Sequence, residues 1–327
     1  MYFVSLKNLS FTGSGFCLSP INLDIKKGEF FAILGSSGSG KTFLLESIAG
    51  LRDIAGEIHI DGKNMTKSAP EKRNIGFIYQ DFALFPNMSA RENILFSCKY
   101  KKDTATTAEL DKIYAFLQIE KILDRKIANL SGGEKQRIGI ARALASKPKL
   151  FLLDEPLSSI DPSLRNSIMQ FLLEMHKEFS LTTVYVTHNF REASFLADRI
   201  GVLLNGSLLQ VGDCNSVLKH PSNLQVAEFL GHKNIFECTM LKKECTKRHF
   251  SIDPNLVEIS RDKNGKEHTF GASIINIIEI VDHFKVYLSF AAGELFVKVP
   301  LKEYYALLPK IGESVYIGFN EKDVWFL

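Results

Sequence analysis

Hydrophobic and polar positions follow two different patterns in the N-terminal part of the chain. Ile21, Leu23 and Ile25 alternate with polar neighbours, which predicts antiparallel strands with one solvated face. Short, largely apolar runs further on predict strands that are buried on both faces. These runs cover residues 30–34, 150–153, 183–187 and 200–204.

Segments with helical spacing separate the buried runs. Residues 42–49 have this spacing and end at Gly50, which suits a helix C-cap. The pattern is again helical over about residues 86–127, and a further helix is predicted from Gly132 to Ser146. Strands that alternate with helices predict an α/β core with a largely parallel sheet, and the helical insert, about residues 83–147, predicts a separate lobe.

The pattern changes near residue 232. The remaining segment carries short alternating runs without long helical periodicity, which predicts a small all-β barrel or sandwich. Before it, Asn205-Gly206 lies between two apolar runs and predicts a β-hairpin. We therefore expect two domains, an α/β domain over residues 1–232 and an all-β domain over residues 233–327.

Composition narrows the class of protein. The chain has 327 residues, 45% of them hydrophobic, which is ample for more than one domain. Its net charge of +3 is spread along the chain and does not indicate a nucleic-acid partner. The five cysteines form no Cys-x-x-Cys pair, which favours reduced thiols over disulfides or a zinc site. No apolar run approaches the roughly 20 residues that span a bilayer, so we expect a soluble chain that reaches a membrane only through a partner.

A glycine-rich loop joins the first buried strand to the first predicted helix. It fits the pattern G-x-x-x-x-G-K-[ST], whose backbone N–H groups turn toward nucleotide phosphates. The loop consists of Gly35, Ser36, Ser37, Gly38, Ser39, Gly40, Lys41 and Thr42. Lys41 supplies a cation for the phosphates, and the Thr42 hydroxyl can ligate Mg²⁺.

Further polar residues follow the other buried strands. Asp154 ends an apolar run, which brings its carboxylate to the sheet edge where ligands bind, and it is a candidate to hold Mg²⁺ through water. Glu155 comes next and is a candidate general base toward an attacking water. Gln80 can contact Mg²⁺ or that water, and His188 can reach the γ-phosphate. Asp161 can close an interface or only cap a helix that begins at Pro162.

Ser131 and Glu134 have the spacing of a capping box, which predicts a well-capped helix. The N-terminus of such a helix is also an anion site, because its first N–H groups are unpaired and the helix dipole is positive there. Gly132 and Gly133 would let a phosphate approach the backbone. Both interpretations can hold at once.

Taken in order, these motifs resemble those of the ATP-binding cassette (ABC) ATPases over about residues 1–232. The resemblance implies a P-loop NTPase fold, hydrolysis of ATP with Mg²⁺, and a head-to-tail homodimer. In that dimer Ser131, Gly132 and Gly133 of one copy face the ATP on the phosphate loop of the other. The family usually stacks an aromatic residue on adenine where this chain has Gly13, which leaves Phe11 or Phe16 for that contact.

Two classes of ABC ATPase remain open, the energy-coupling subunit of a membrane transporter and a soluble ATPase that acts in DNA repair or on ribosomes. Residues 81–94 resemble the segment that receives the permease in bacterial and archaeal importers. This likeness implies transmembrane permease subunits as partners and, indirectly, an extracytoplasmic solute-binding protein, with no nucleic acid. It places the chain peripherally at the cytoplasmic face of the cell membrane.

The C-terminal segment bears on the cargo. Residues 312–319 resemble the end of TOBE domains, OB-like barrels appended to importer ATPases, although a barrel that only stabilises the dimer is an equal alternative. Residues 229–236 and 319–324 look most like those of molybdate/tungstate import ATPases. Importers of iron(III), sulfate or polyamines are the alternatives.

Overall fold

The computed structural model describes residues 2–13, 15–100, 104–158, 162–163, 165–241 and 247–327. The chain forms two compact units, Met1–Val217 and Leu218–Leu327. The domain boundary expected after residue 232 therefore lies inside the second unit. There the His232 imidazole Nε2 is 3.1 Å from the Leu218 carbonyl oxygen.

The first unit combines two sheets with several helices. Its strands are β1 (Tyr2–Gly13), β2 (Phe16–Lys26), β3 (Phe30–Leu34), β4 (Ala55–Ile60), β5 (Lys63–Asn64), β6 (Ile75–Ile78), β7 (Leu150–Asp154), β8 (Thr182–Thr187), β9 (Arg199–Leu204) and β10 (Ser207–Asp213). Its helices are α1 (Lys41–Ala49), α2 (Ala90–Leu95), α3 (Thr107–Leu117), α4 (Gly132–Ala145), α5 (Arg165–Glu178) and α6 (Phe190–Leu196), and α7 (Cys214–Lys219) follows.

The central sheet has the strand order β10-β9-β3-β8-β7-β6. All its neighbouring strands run parallel except β10, which pairs antiparallel with β9 across the predicted hairpin turn. Every residue of β3, β7 and β8 is buried, as expected for strands covered on both faces. In the parallel register Leu34 pairs with Thr187 and Asp154 pairs with Val186. The chain segments that follow β3, β7 and β8 therefore leave the same edge of the sheet.

A second, antiparallel sheet has the order β2-β1-β4-β5. Its alternating residues, Ile21 and Ile25 among them, are buried, which confirms the antiparallel strands predicted from the alternation. They share one apolar core with Leu44 and Leu45 of α1 and with the central sheet. This packing fixes the helix that follows the glycine-rich loop.

The helical insert contains α2, α3 and α4. Each begins with a complete capping box, at Ser89, Thr106 and Ser131 respectively. The helix predicted to begin at Pro162 starts later, at Arg165, because Pro162 lies in a turn closed by a bond from Arg165 N–H to the Pro162 carbonyl. None of the helices in the described ranges is long and apolar enough to cross a bilayer.

The second unit is rich in strands, as predicted. Its elements are α8 (Leu224–Phe229), β11 (Ile235–Glu237), β12 (His249–Ile252), β13 (Glu258–Ser260), β14 (His268–Ile280), β15 (His283–Phe290), β16 (Gly293–Pro300), α9 (Leu301–Leu307), β17 (Ser314–Phe319) and β18 (Val324–Phe326). They form antiparallel sheets in the orders β11-β12-β18 and β13-β17-β14-β15-β16. One core, with Phe250, Val286 and Ile317 at its centre, joins the two sheets. The predicted fold class, an α/β domain followed by a strand-rich domain, is confirmed, although the helices α8 and α9 accompany the strands of the second unit.

Candidate active site at the edge of the central sheet

The glycine-rich loop is folded around the Lys41 side chain. Lys41 is 5% exposed, and its Nζ donates hydrogen bonds to the carbonyl oxygens of Gly35 at 3.0 Å and Ser36 at 2.9 Å. Gly38 and Gly40 have φ angles of 77° and 100°, in the left-handed region that favours glycine. The loop therefore ends at the N-terminus of α1, where backbone N–H groups are free of helical partners.

The turn of the β9–β10 hairpin is hydrogen-bonded to the backbone of the glycine-rich loop. The N–H of Gly206 donates to the Ser39 carbonyl at 3.1 Å, and the Gly206 carbonyl accepts from the Ser19 N–H at 2.8 Å. A Cβ atom on Gly206 would overlap the Cys17 carbonyl oxygen, and one on Gly35 would overlap the Leu203 carbonyl oxygen. Both positions thus require glycine, although only Gly35 belongs to the nucleotide motif.

Asp154 lies at the end of β7, directly beside the start of α1. It is 6% exposed, and its Oδ1 accepts a hydrogen bond from the Thr42 hydroxyl at 3.1 Å. Burial raises the pKa of Asp154, an effect that the Thr42 hydrogen bond opposes. A hydroxyl and a carboxylate in contact are hard oxygen donors of the kind that Mg²⁺ prefers. The pair thus fits the metal role that the sequence assigned to it.

Glu155 contacts two other predicted residues, Lys41 and His188. Its backbone has a φ of 43°, and its N–H donates to the Val186 carbonyl at 3.0 Å. The carboxylate lies between two basic groups, with Oε1 3.5 Å from Lys41 Nζ and Oε2 2.9 Å from His188 Nδ1. Glu155 is thereby aimed at the phosphate loop and not at bulk solvent.

A cavity of about 580 Å³ lies over this edge of the sheet. Gln80 lines it too, from an exposed turn that follows β6. The sequence-predicted residues that line the cavity together are Ser37, Gly38, Gly40, Lys41, Thr42, Gln80, Asp154 and Glu155. Ser36 and Ser39 contribute to the loop instead through the backbone contacts described above.

Aromatic side chains form one wall of the cavity. Phe11 and Phe16 both lie there, and their ring centroids are 4.6 and 5.5 Å from that of Phe43. The Phe16 ring covers Gly40 so closely that a Cβ there would be 2.5 Å from Cζ. Arg52 stands 5.5 Å from the Phe43 ring centroid. Phe43 and Arg52 were not predicted as site residues; the only signal was a large apolar residue directly after Lys41-Thr42.

Ser131, Gly132 and Gly133 do not line this cavity. They are exposed at the start of α4, and a Cβ on either glycine would meet no atom of the described residues within 4 Å. The Ser131 hydroxyl accepts from Glu134 N–H at 3.3 Å, and Glu134 Oε2 accepts from Ser131 N–H at 2.8 Å, which confirms the capping box. Asp161, the remaining predicted residue, lies outside the described residues.

The segment after Gln80 is clamped by two helices. Arg142 of α4 donates to the carbonyl oxygens of Phe82 and Ala83, both at 2.7 Å. Asn93 of α2 is fully buried and exchanges hydrogen bonds with the Phe85 backbone at 2.8 and 3.1 Å. Burial lowers the pKa of Arg142. The clamp holds Phe85 at the surface of the helical insert.

Comparison with known proteins gives concordant results. The sequence profile of the ABC transporter family matches residues 18–158. A molybdate/tungstate import ATP-binding protein of Pyrococcus abyssi is 38% identical, with 94% of this chain and 95% of that protein covered. A spermidine/putrescine import ATP-binding protein of Thermotoga maritima is 40% identical, with 74% and 67% covered. A solved dimeric ATP-binding cassette with bound ADP and phosphate aligns with a TM-score of 0.56 at 32% identity, over 64% of this chain and 98% of that one.

Proposed function

This chain belongs to the ABC transporter family of import ATP-binding proteins, and we propose that it hydrolyses ATP as the energy-coupling subunit of an importer. The observation that carries the proposal is the contact chain from Lys41 through Glu155 to His188 at the edge of the parallel sheet. The Thr42–Asp154 pair lies directly beside it. The residues proposed for phosphate binding, metal binding and proton abstraction, Lys41, Thr42, Asp154 and Glu155, all line one cavity, which supports the proposal.

The proposed reaction assigns a separate task to each residue. The loop N–H groups at the start of α1 and the Lys41 ammonium bind the β- and γ-phosphates. Lys41 has to exchange its present carbonyl partners for phosphate oxygens, which are stronger acceptors. Glu155 then accepts a proton from the water whose oxygen bonds to the γ-phosphorus, while the bond from that phosphorus to the bridging oxygen breaks and ADP leaves. His188, hydrogen-bonded to Glu155 Oε2, holds the carboxylate in line.

Mg²⁺ is the ion that the oxygen donors fit. Thr42 and Asp154 would hold it, Asp154 through water, and Gln80, which lines the same cavity, would approach it as well. The ion would neutralise charge on the phosphate oxygens. Its charge would also offset the burial that now raises the pKa of Asp154.

The exposed start of α4 supports a homodimer. Ser131, Gly132 and Gly133 are exposed, and a Cβ on either glycine would meet no atom of the described residues within 4 Å, which leaves open space beside their N–H groups. In a head-to-tail dimer this helix end would bind the γ-phosphate held by the partner copy. Asp161 is proposed to lie at the same interface.

An aromatic surface on the helical insert supports a permease partner. Phe85, Phe96 and Tyr100 form a row with centroid separations of 4.4 and 5.5 Å, and Tyr100 is 79% exposed. Such exposed aromatic groups are typical of protein interfaces. A transmembrane permease docked there would hold the chain at the cytoplasmic face of the membrane and link it to an extracytoplasmic solute-binding protein.

For the cargo we propose a small oxyanion such as molybdate or tungstate. The supporting observation is that the molybdate/tungstate relative from Pyrococcus matches across both units at 38% identity. A sulfate/thiosulfate import relative covers a similar share of the chain at a lower identity of 35%, and the polyamine-importer relative covers a smaller share. We further propose that the second unit is a TOBE-like regulatory domain. Polyamine, iron(III) or sulfate import is the second candidate, and a soluble ATPase is the third.

The test is uptake into proteoliposomes that contain the full chain with its permease. We expect ATP-dependent accumulation of radiolabelled tungstate in the presence of the matching binding protein, and none with Lys41→Ala. Accumulation of spermidine, iron(III) or sulfate instead would show that the proposed cargo is wrong and identify the transported solute. Failure of the full chain to associate with any permease, together with recovery on nucleic acid or ribosomes, would contradict the importer function.

A further inference from the structure

The direction of the exposed His188 side chain depends on the position of its backbone. Its imidazole is 60% exposed, and its contact with Glu155 is a single one at 2.9 Å. An exposed ring whose contact among the described residues is with Glu155 has little packing to fix its direction, so its position depends on the neighbouring residues 187 and 189.

Those neighbours are anchored to a buried carboxylate that belongs to none of the motifs. Glu192 lies in the first turn of α6 and is 5% exposed. Its Oε2 accepts hydrogen bonds from the Tyr185 hydroxyl at 2.8 Å and from the Thr187 hydroxyl at 2.6 Å. Glu192 also contributes to the raised pKa of Tyr185, although burial of the phenol is the larger cause.

Thr187 connects Glu192 to Asn189, the residue that follows His188. While its hydroxyl donates to Glu192, its Oγ1 accepts the backbone N–H of Asn189 at 3.0 Å. Asn189 in turn caps α6, accepting the Arg191 N–H on its Oδ1 at 2.9 Å. The backbone is therefore fixed on both sides of His188.

Burial of a carboxylate destabilises the folded state unless hydrogen bonds satisfy its oxygens. An apolar side chain would fill the same space without that loss of stability, so packing alone does not explain a glutamate here. We propose that Glu192 is a positioning residue that orients His188 toward Glu155, acting through the Thr187 hydroxyl. This inference rests on the proposed ATPase function. The Tyr185 hydroxyl shares the carboxylate, and among the described residues its hydrogen bond goes to Glu192 and not to the turn that carries His188, which provides a matched control.

The test compares ATPase kinetics of three variants of the full chain. We expect Glu192→Gln and Thr187→Val to lower kcat about 10- to 100-fold, the cost of a misplaced catalytic group, with KM for ATP changed by less than about twofold. Tyr185→Phe removes an equivalent hydrogen bond from the same oxygen and should keep kcat within about twofold of wild type. Equal loss of kcat in all three variants would mean that the hydrogen bonds to Glu192 only stabilise the fold, and it would contradict a positioning role for Glu192.

Two further measurements separate the outcomes. In a His188→Ala background, Glu192→Gln should cause no additional loss of kcat, because both act through one group; a further multiplicative loss would overturn the inference. Amide hydrogen exchange at Asn189 should accelerate in Thr187→Val and stay slow in Tyr185→Phe, without any need for ATP. A wild-type chain that does not hydrolyse ATP would contradict the proposed function. An active wild type with unimpaired Glu192→Gln would contradict only this inference.

Discussion

The phosphate-loop region and the start of α4 are built in opposite ways, although both are helix N-termini suited to anions. At the start of α1, Lys41 contacts Glu155 and Thr42 contacts Asp154, so that these side chains hold one another in place. At the start of α4, Ser131 and Glu134 cap the helix, Glu134 also lies 3.8 Å from Arg125, and the glycines face open space among the described residues. The first region carries groups that can do chemistry, and the second carries only a surface that can receive a phosphate.

The difference shows how one ATP site can be divided between two copies. Reactive groups require a rigid sheet edge to fix them, whereas a complementary surface requires exposure and room. Within one chain the two regions are linked by Gln136 of α4, whose Nε2 donates to the Pro156 carbonyl at 3.4 Å. A partner that approaches α4 is therefore connected to the turn that follows Glu155.

The largest effect is expected from Glu155→Gln. Loss of the carboxylate removes the base, so kcat should fall about 10²- to 10⁴-fold, while ATP binding persists because loop and α4 are intact. Size-exclusion chromatography with ATP should show a trapped dimer. A variant that hydrolyses normally, or stays monomeric with ATP, would contradict the division of roles between the two regions.

Ser131→Asp tests the second region. Aspartate is a good N-cap, so α4 should remain stable, but its charge would repel the phosphate of the partner copy and abolish ATPase activity. Mixed in equal amounts with Lys41→Ala, which is defective only in the loop, it should recover about a quarter of wild-type activity, since half of the dimers contain one intact site. Ser131→Thr is the control that keeps both hydroxyl and activity. Absence of recovery in the mixture would exclude the head-to-tail arrangement.

Glu134→Ala tests how much the capping box contributes to the stability of α4, as distinct from the proposed binding of a phosphate at its exposed start. Loss of half of the capping box should cost about 0.5–1 kcal/mol of stability. The Ser131 hydrogen bonds lower the pKa of Glu134, so its contribution is present above the ordinary value near 4.5 and is lost as the pH falls through the lowered pKa. Glu109→Ala, in the matching box of α3, should lose similar stability without a change in kcat. Thermal unfolding between pH 3 and 7 checks both variants.

The smallest effect, of opposite sign, is expected from Asp154→Asn. Burial raises the pKa of Asp154 above 3.8, so the folded state binds its proton more tightly, and the charged form destabilises the protein as the pH rises through that window. Without Mg²⁺ the asparagine variant should unfold at a higher temperature at pH 7, and the gain should vanish below pH 3.8. An unchanged unfolding temperature at pH 7 would mean that the hydrogen bond from Thr42 already compensates the buried charge.

The sequence predicted those parts of the fold and site that depend on local pattern. The buried strands, the hairpin at Asn205-Gly206 and the capping box at Ser131 are all present in the structure. The loop, Asp154 and Glu155 line one cavity because strand ends in a parallel sheet share an edge. Their catalytic and binding roles stay predictions.

What the sequence could not predict depends on contacts between distant residues. The position of Phe43 against Phe11 follows from the packing of α1 on the antiparallel sheet, which no local spacing encodes. The burial of Glu192 was equally invisible, since an acidic residue in the first turn of a short helix normally indicates a solvated face. The start of α5 at Arg165 was missed by three positions because a proline suits both a turn and a helix start.

The support of Ser39 by Gly206 has a consequence for the order of folding. The hydrogen bond joins positions that lie far apart in the chain, so it forms only after a large loop has been closed. During synthesis at about 5–20 residues per second, about 8–33 s pass between the synthesis of Ser39 and that of Gly206. A nascent chain that ends before residue 206 carries the complete nucleotide motif but lacks the Gly206 N–H group that hydrogen-bonds the Ser39 carbonyl. Competence to bind ATP is therefore acquired late, when nearly all of the first unit has left the ribosome.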